Sequence, residues 1–186
     1  MMEDDKIIDL YFERSEEAIT QTAEKYGRLC RSIAMHIVGS YEDAQECEND
    51  TYVAVWNAIP PTRPNIFSAF LSRISRNIAL NRYEYNKAGK RNSQFDLVLE
   101  ELEQCLASSY SVEDNYIAGE VAGMINAFLE KLKAETRIIF VRRYYYADSV
   151  KEIAQRLGIG ESKVKTTLFR VRQELKAYLE EQGVQV

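Results

Sequence analysis

The sequence predicts an all-α protein made of two helical domains joined by a flexible linker. Apolar residues recur with helical spacing along most of the 186 residues, and no pair of segments shows the alternating pattern of strands. All three prolines fall within one short stretch, residues 60–64. A polar, acidic segment in the middle of the chain separates two stretches of strong helical periodicity, which is why we expect two domains.

Composition argues against several classes of protein. The chain is 46% apolar and 28% charged, which is typical of a globular protein. It has no run of about 18 apolar residues, and its acidic N-terminus lacks the apolar core of a secretory signal, so we expect a cytoplasmic protein without membrane insertion. Its three scattered cysteines and single histidine, His36, do not match a disulfide framework or a zinc site. We therefore expect no metal, no cofactor and no catalytic residues.

Three helices are predicted in the first domain, residues 1–86. The first covers residues 18–38 and ends at Gly39, and the second covers residues 43–59. The segment PPTRPN, residues 60–65, must interrupt the helix, because proline removes a hydrogen-bond donor and disfavours helix at the preceding residue. The third helix covers residues 66–85. Polar side chains fall away from its apolar stripe: Arg73, Arg76, Asn77 and Arg82.

The formal net charge is −5, but acidic and basic residues are concentrated in separate segments of the sequence. Residues 63–91 hold seven bases and one acid, and residues 151–176 hold seven bases and three acids. Residues 42–50 hold five acids and no base. An acidic protein can still bind a polyanion if its bases share one face. The two basic segments therefore predict two surfaces that bind a polyanion, and the acidic segment predicts a surface for a different partner. Alternatively, each block is a solvated helix face.

Residues 87–116 are predicted to be an acidic linker. Residues 92–116 contain six acids and no base. A short amphipathic helix through Val98, Leu102 and Cys105 fits within this segment. The composition is equally compatible with a disordered connector.

The second domain, residues 117–186, contains a helix-turn-helix pattern. A helix rich in apolar residues begins near Val121, and another covers residues 134–146. Residues 149–176 then read SVKEIAQRLGIGESKVKTTLFRVRQELK. Ser149 and Glu152 form a capping box that marks a helix start, and Gly158 suits a sharp turn because it tolerates positive φ. The pattern therefore predicts a helix-turn-helix, in which two helices are joined by a short turn, as in many DNA-binding domains.

The second of these helices buries one face and exposes another. Its inward positions are Val164, Leu168, Val171 and Leu175. Its exposed positions, which suit phosphates and base edges in a major groove, are Lys163, Lys165, Thr166, Thr167, Phe169, Arg170 and Arg172. Phe169 fits a core position equally well. A helix-turn-helix can also be a packing unit alone.

Three segments together resemble a bacterial RNA polymerase sigma factor of the small, extracytoplasmic-function type. EIAQRLGIGESKVKTTLFRVRQEL, residues 152–175, resembles the part of sigma region 4 that binds the minus-thirty-five element. DAQECENDTYVAVWNAI, residues 43–59, and FLSRISRNIALNRY, residues 70–83, resemble consecutive helices of region 2. The segments occur in the expected order with a linker between them.

The resemblance implies roles for particular residues. The acidic helix would bind the clamp helices of the polymerase's largest subunit through Asp43, Glu46, Asn49 and Asp50. The following loop and helix would recognise a melted minus-ten strand through Pro61, Thr62, Arg63, Asn65, Arg73, Arg76, Asn77 and Asn81. The helix-turn-helix would bind the minus-thirty-five element through its exposed residues. Trp56 could stack on a base, although its helical spacing favours the core.

The implied partners are core RNA polymerase, through its clamp helices and flap, and promoter DNA. The linker would thread through the RNA exit path of the polymerase. Proteins of this kind are often held inactive by an anti-sigma factor, which the sequence does not identify. The rival hypothesis is a stand-alone helix-turn-helix regulator that binds duplex operator DNA. An enzyme is disfavoured, because there is no glycine-rich phosphate loop and no catalytic set around His36.

Overall fold

The computed structural model describes residues 2–86, 93–103 and 115–184. All regular secondary structure in those residues is helical, which confirms the predicted all-α class. The helices are α1 Asp4–Phe12, α2 Glu17–Val38, α3 Tyr41–Ala58, α4 Phe67–Asn86, α5 Ser93–Glu103, α6 Asn115–Lys131, α7 Ala134–Tyr144, α8 Val150–Leu157 and α9 Glu161–Glu181. The chain divides into two compact units, Met1–Phe95 and Asp96–Val186, and the division falls within α5.

Helix α1 is an element that sequence analysis missed. Its side chains Ile7, Ile8 and Tyr11 are almost completely buried, and the Tyr11 hydroxyl lies 2.9 Å from the hydroxyl of Thr22 in α2. A helix of only nine residues is marginal alone, so its stability comes from packing on the rest of the unit. The apolar face of this N-terminal helix is therefore part of the core of the first unit.

Helices α2, α3 and α4 form most of the first unit, close to their predicted bounds. Gly39, in the left-handed region with φ 69°, ends α2 as expected. Helix α3 begins two residues before the predicted start, where the side chain of Ser40 accepts a hydrogen bond from the Asp43 amide. These helices and α1 enclose one apolar cluster, whose buried members are Ile7, Ile8, Tyr11, Ala18, Cys30, Val55, Ile59, Phe67 and Leu71.

A buried carboxylate lies between α2 and α3. The side chain of Glu48 is 7% exposed, accepts a hydrogen bond from the Tyr52 hydroxyl at 2.7 Å, and forms an ion pair with Arg31. Burial and this hydrogen bond to Glu48 both raise the pKa of Tyr52. Gly27 leaves space here, because a Cβ at this position would lie 2.9 Å from Oε1 of Glu48. The sequence marked Glu48 only as one more acid of an acidic block.

In the second unit the predicted helix-turn-helix is confirmed. Ser149 and Glu152 make both hydrogen bonds of the capping box at the start of α8. Gly158 ends α8 with φ 65°, a conformation that glycine adopts without strain. The four inward positions of α9 are all buried: Val164, Leu168, Val171 and Leu175. Helix α7 ends two residues before the predicted boundary.

Part of the predicted linker is helical. Helix α5, Ser93–Glu103, lies inside the segment 87–116, so the disordered-connector interpretation is wrong for this stretch. Val98 is buried as an amphipathic helix requires, and the Phe95 ring packs edge-on against Tyr83 with 4.9 Å between centroids. The predicted continuation of the helix to Cys105 lies outside the described residues. In the described parts of the chain, no helix is long and apolar enough to cross a membrane.

Candidate nucleic-acid interface

Helix α9 presents five of its seven predicted residues to solvent. These are Lys163, Lys165, Thr166, Phe169 and Arg170. The ring of Phe169 is 59% exposed, so the core interpretation of this residue is wrong. Lys163 forms an exposed ion pair with Glu135 at 2.6 Å, and Arg170 lies 3.6 Å from Glu174 one turn along the helix. An exposed aromatic ring flanked by cations is a surface suited to nucleic acid.

The predicted exposure of Thr167 and Arg172 is wrong. Thr167 is 8% exposed, because it falls three residues after Val164 and four before Val171, within the buried stripe. The side chain of Arg172 is only 13% exposed. Neither side chain lies on the solvent-facing surface of α9, so the sequence-based set is reduced to its five exposed members.

Arg172 belongs to a polar cluster centred on Glu101 of α5. Nη1 of Arg172 donates a hydrogen bond to the Tyr144 hydroxyl at 2.7 Å and lies 3.5 Å from Oε2 of Glu101. The Tyr144 hydroxyl in turn donates to Oε2 of Glu101 at 3.0 Å. Arg143, whose side chain is 5% exposed, makes two hydrogen bonds to Glu101 and one to the backbone carbonyl of Asp148. Sequence analysis missed this cluster.

The cluster changes the acidity of its members. Burial raises the pKa of the Glu101 carboxyl, but hydrogen bonds and positive charge from Arg143 outweigh burial and lower it overall. Burial likewise raises the pKa of Tyr144. Both shifts favour the state in which Glu101 is ionised and Tyr144 keeps its proton. In that state the ionised carboxylate of Glu101, from the segment predicted to be a linker, faces both Arg143 and Arg172 and offsets one of their two positive charges.

The four residues assigned to polymerase binding lie along α3, with different surroundings. Asn49 and Asp50 are exposed. Glu46 is exposed as well, but forms an ion pair with Arg82 of α4 at 2.7 Å. Asp43 accepts a hydrogen bond from Asn86 at the end of α4, over 3.2 Å. Part of the predicted acidic stripe is therefore neutralised within the first unit.

The residues assigned to the minus-ten element divide between the 60–66 loop and α4. The exposed loop residues are Pro61, Thr62, Arg63 and Asn65, and the exposed helix residues are Arg73, Asn77 and Asn81. Arg76 is half-buried. Because the spacing of the three exposed helix residues is four, they follow one face of α4. The loop is anchored on both sides, by buried Ile59 and buried Phe67.

One open depression brings the two predicted sets together. It has a volume of about 420 Å³ and is lined by Asp50 of α3 and by Ile78, Asn81, Arg82 and Tyr85 of α4. The sequence resemblance assigns Asp50 to polymerase binding and Asn81 to the minus-ten element. Tyr85 is 83% exposed. The two predicted surfaces therefore adjoin on the first unit.

Trp56 and the cysteines pack within the first unit. The Trp56 ring meets Tyr11 edge-on, with 6.1 Å between centroids, and packs against the apolar cluster, as its helical spacing predicted. Cys30 and Cys47 are completely buried, as expected for packed thiols. Burial raises the pKa of Cys30 to about 12 and that of Cys47 to about 11. Across residues 2–86, 93–103 and 115–184, no group of three His, Cys, Asp or Glu side chains could hold a metal ion.

Two family models match this chain, one in each unit. The model described as Sigma-70 region 2 matches residues 22–88, within the first unit. The model described as Sigma-70, region 4 matches residues 122–175, within the second unit. The matches have the order expected from the sequence segments quoted above, and together they extend over most of both units.

Individual relatives agree with these matches. The chain is 25% identical over 164 residues to the ECF RNA polymerase sigma factor SigE of Mycolicibacterium smegmatis, covering 88% of this chain and 61% of SigE. It is 27% identical over 158 residues to the ECF RNA polymerase sigma factor SigL of Mycobacterium tuberculosis, covering 81% of this chain and 82% of SigL. The chain thus spans less than two thirds of the length of SigE.

One solved structure aligns with most of this chain at low similarity. The structure of CnrH in complex with the cytosolic domain of CnrY aligns with a TM-score of 0.45 and 21% sequence identity, over 96% of this chain and 97% of that one. The assignment to a family depends on the two family models and the sequence relatives. This chain belongs to the sigma-70 family, as a sigma factor of the extracytoplasmic-function type with regions 2 and 4.

Proposed function

We propose that this chain is a dissociable sigma factor that binds core RNA polymerase and directs it to promoters with a minus-ten and a minus-thirty-five element. The observation that carries the proposal is the match of region 2 to the first unit and region 4 to the second. A sigma factor needs no catalytic site of its own, because the polymerase supplies the chemistry. It acts where core polymerase is found, in the cytoplasm.

In this proposal the acidic residues of α3 bind the clamp helices of the largest subunit. Asn49 and Asp50 are exposed, so a basic partner can reach them directly. Glu46 is 59% exposed and can exchange Arg82 for an external cation. Complementary charge accelerates and orients docking more than it adds affinity. The flap of the polymerase is the second surface that this chain binds. Binding of an anti-sigma factor stays a prediction from the family resemblance.

Promoter recognition is divided between the units. Exposed residues of the 60–66 loop and of α4 contact the melted minus-ten strand. The exposed face of α9 enters the major groove of the minus-thirty-five element, with Lys165 and Arg170 as the principal contacts. Thr167 and Arg172 are excluded from direct contact in this proposal because they are mostly buried.

The central experiment is reconstitution with core polymerase. Purified chain and core enzyme are mixed with fragmented genomic DNA, and the transcripts are sequenced to find their start sites. We expect starts that share two sequence elements upstream and that core enzyme alone does not produce. A stand-alone regulator would instead bind duplex DNA tightly by itself and would fail to join core polymerase, and that result would overturn the proposal.

The promoter assignment is tested by substitutions on α9. Lys165→Ala and Arg170→Ala should each weaken binding to the upstream element by about 1–3 kcal/mol if the side chain contacts a base. Arg137→Ala removes an exposed cation from α7 and serves as the control. If run-off transcription from the identified promoter is unchanged in both α9 variants, the assignment of the recognition face is wrong.

The polymerase assignment is tested by charge reversal. Asp50→Lys, and Glu46→Lys in a second variant, should reduce capture of core polymerase in a pull-down. Glu24→Lys makes the same charge change at an exposed position of α2 and should leave capture intact. If both α3 variants capture core polymerase normally, the acidic stripe of α3 is only a solvated helix face and the polymerase assignment is wrong.

A further inference from the structure

Helix α1 contacts the loop assigned to the minus-ten element. Oδ1 of Asp9 lies 2.8 Å from Nη2 of Arg63, which projects from that loop. The Phe12 ring lies beneath the same guanidinium, with 5.5 Å from the guanidinium carbon to the ring centroid. One side chain of the loop is therefore held by two side chains of α1, one through charge and one through its aromatic face.

Arg14, just after the end of α1, contacts the last turn of α3, which precedes the same loop. Nη1 of Arg14 donates a hydrogen bond to the backbone carbonyl of Trp56 at 2.6 Å, and its guanidinium lies 5.3 Å from the centre of the Trp56 ring. Arg14 adopts φ 57°, in the left-handed region that non-glycine residues seldom occupy. A conformation of this kind persists only where surrounding contacts maintain it. The contacts to Trp56 are among those that hold it.

Helix α1 is itself firmly fixed. Ile7, Ile8 and Tyr11 are at most 1% exposed, so one face of α1 is part of the core while Asp9 and Phe12 lie on its outer side. Arg63 is half exposed, and the ion pair uses one of its two terminal nitrogens. An arginine restrained in this way loses less conformational freedom when it binds a base or a phosphate.

We infer that Asp9 and Phe12 are positioning residues that hold Arg63 ready for the single-stranded minus-ten element. The inference rests on the proposed function, because that proposal assigns the loop containing Arg63 to the minus-ten element. Asp9 and Phe12 do not contact DNA themselves. They act by restricting Arg63, so their effect must vanish when Arg63 is removed.

The test uses wild-type and variant chains assembled with core polymerase. The probe is a single-stranded oligonucleotide that carries the non-template minus-ten sequence of the promoter identified by transcript sequencing. We expect Asp9→Asn to lower holoenzyme affinity for this probe by up to about fivefold, the range of an exposed ion pair. Asp9→Glu should retain most of the affinity. Asp5→Asn, at an exposed position of the same helix, should have no effect.

The double variant separates positioning from a general structural effect. Asp9→Asn combined with Arg63→Ala should bind the probe no more weakly than Arg63→Ala alone, and capture of core polymerase should be unchanged throughout. The inference is overturned if Asp9→Asn leaves probe affinity unchanged or raises it, or if its effect persists without Arg63. These outcomes refute the inference and leave the proposed function standing. If the wild-type chain with core polymerase fails to transcribe, both the proposed function and the inference are refuted.

Discussion

The guanidinium of Arg143 donates two hydrogen bonds to the carboxylate of Glu101, over 3.1 Å and 2.7 Å. Arg143 is a buried cation of α7, and its counter-ion comes from α5, which precedes the region 4 match by some twenty residues. A buried charge without a partner is strongly destabilising. The second unit therefore needs α5 as part of its structure.

Glu101→Gln should destabilise the second unit by about 3 kcal/mol, because it leaves Arg143 buried without a counter-ion. The free energy of unfolding is measured by urea titration, with hydrogen exchange to locate the change in residues 115–184. Glu103→Gln removes an exposed acid from the same helix and should change stability by less than about 0.5 kcal/mol. Equal stability of the two variants would show that the ion pair contributes nothing.

The same ion pair predicts a dependence of stability on pH. The pKa of Glu101 in the folded protein lies below its ordinary value of 4.5, so the unfolded chain binds the proton more readily. The stabilisation is therefore fully present above about pH 5.5 and is lost as pH falls below 4.5 through the folded pKa. The stability difference between wild type and Glu101→Gln should shrink over this range. A difference that stays constant down to pH 3 would contradict the prediction.

Gly27→Ala should destabilise the first unit, although alanine usually favours a helix over glycine by about 0.5–1 kcal/mol. The added Cβ would lie 2.9 Å from Oε1 of Glu48 and 3.0 Å from the Tyr52 hydroxyl, so this buried pair must move. We expect a loss of about 1–3 kcal/mol in thermal or urea unfolding. Gly123→Ala is the control, because a Cβ there meets open space, and it should raise stability. A stabilised Gly27 variant would show that the Glu48 side chain adjusts freely.

Cys30 and Cys47 should resist alkylation in the native protein. Both are completely buried, and burial raises their pKa values to about 12 and about 11, so the reactive thiolate is scarce at pH 8. Iodoacetamide labelling followed by peptide mass spectrometry should modify these two residues rapidly in urea and only slowly without it. Rapid labelling of either peptide in the native state would indicate local opening of the first-unit core.

Local patterns were sufficient for much of the fold. The bounds of α2 and α4 were predicted within two residues, because each carries a long amphipathic stripe and adjoins a clear signal, Gly39 after α2 and the proline-containing residues 60–65 before α4. The capping box at Ser149 and the turn at Gly158 were predicted from residue type alone, since their hydrogen bonds and backbone angles are local. The opposite holds for α1, because the burial of Ile7, Ile8 and Tyr11 depends on a core formed by other helices.

The amino-acid sequence by itself determined the helical class, the helix-turn-helix and the segments that match sigma regions 2 and 4, because periodicity, caps and turns depend on neighbours along the chain. Only the tertiary structure decided which polar side chains are buried. Thr167 and Arg172 were predicted to be exposed, and Glu48 and Glu101 were treated as ordinary acids. The burial of Glu48 and the partial burial of Glu101 depend on partners that lie far away in sequence, Arg31 for Glu48 and Arg143 for Glu101. A charge can be buried only where folding brings such a partner within hydrogen-bond distance.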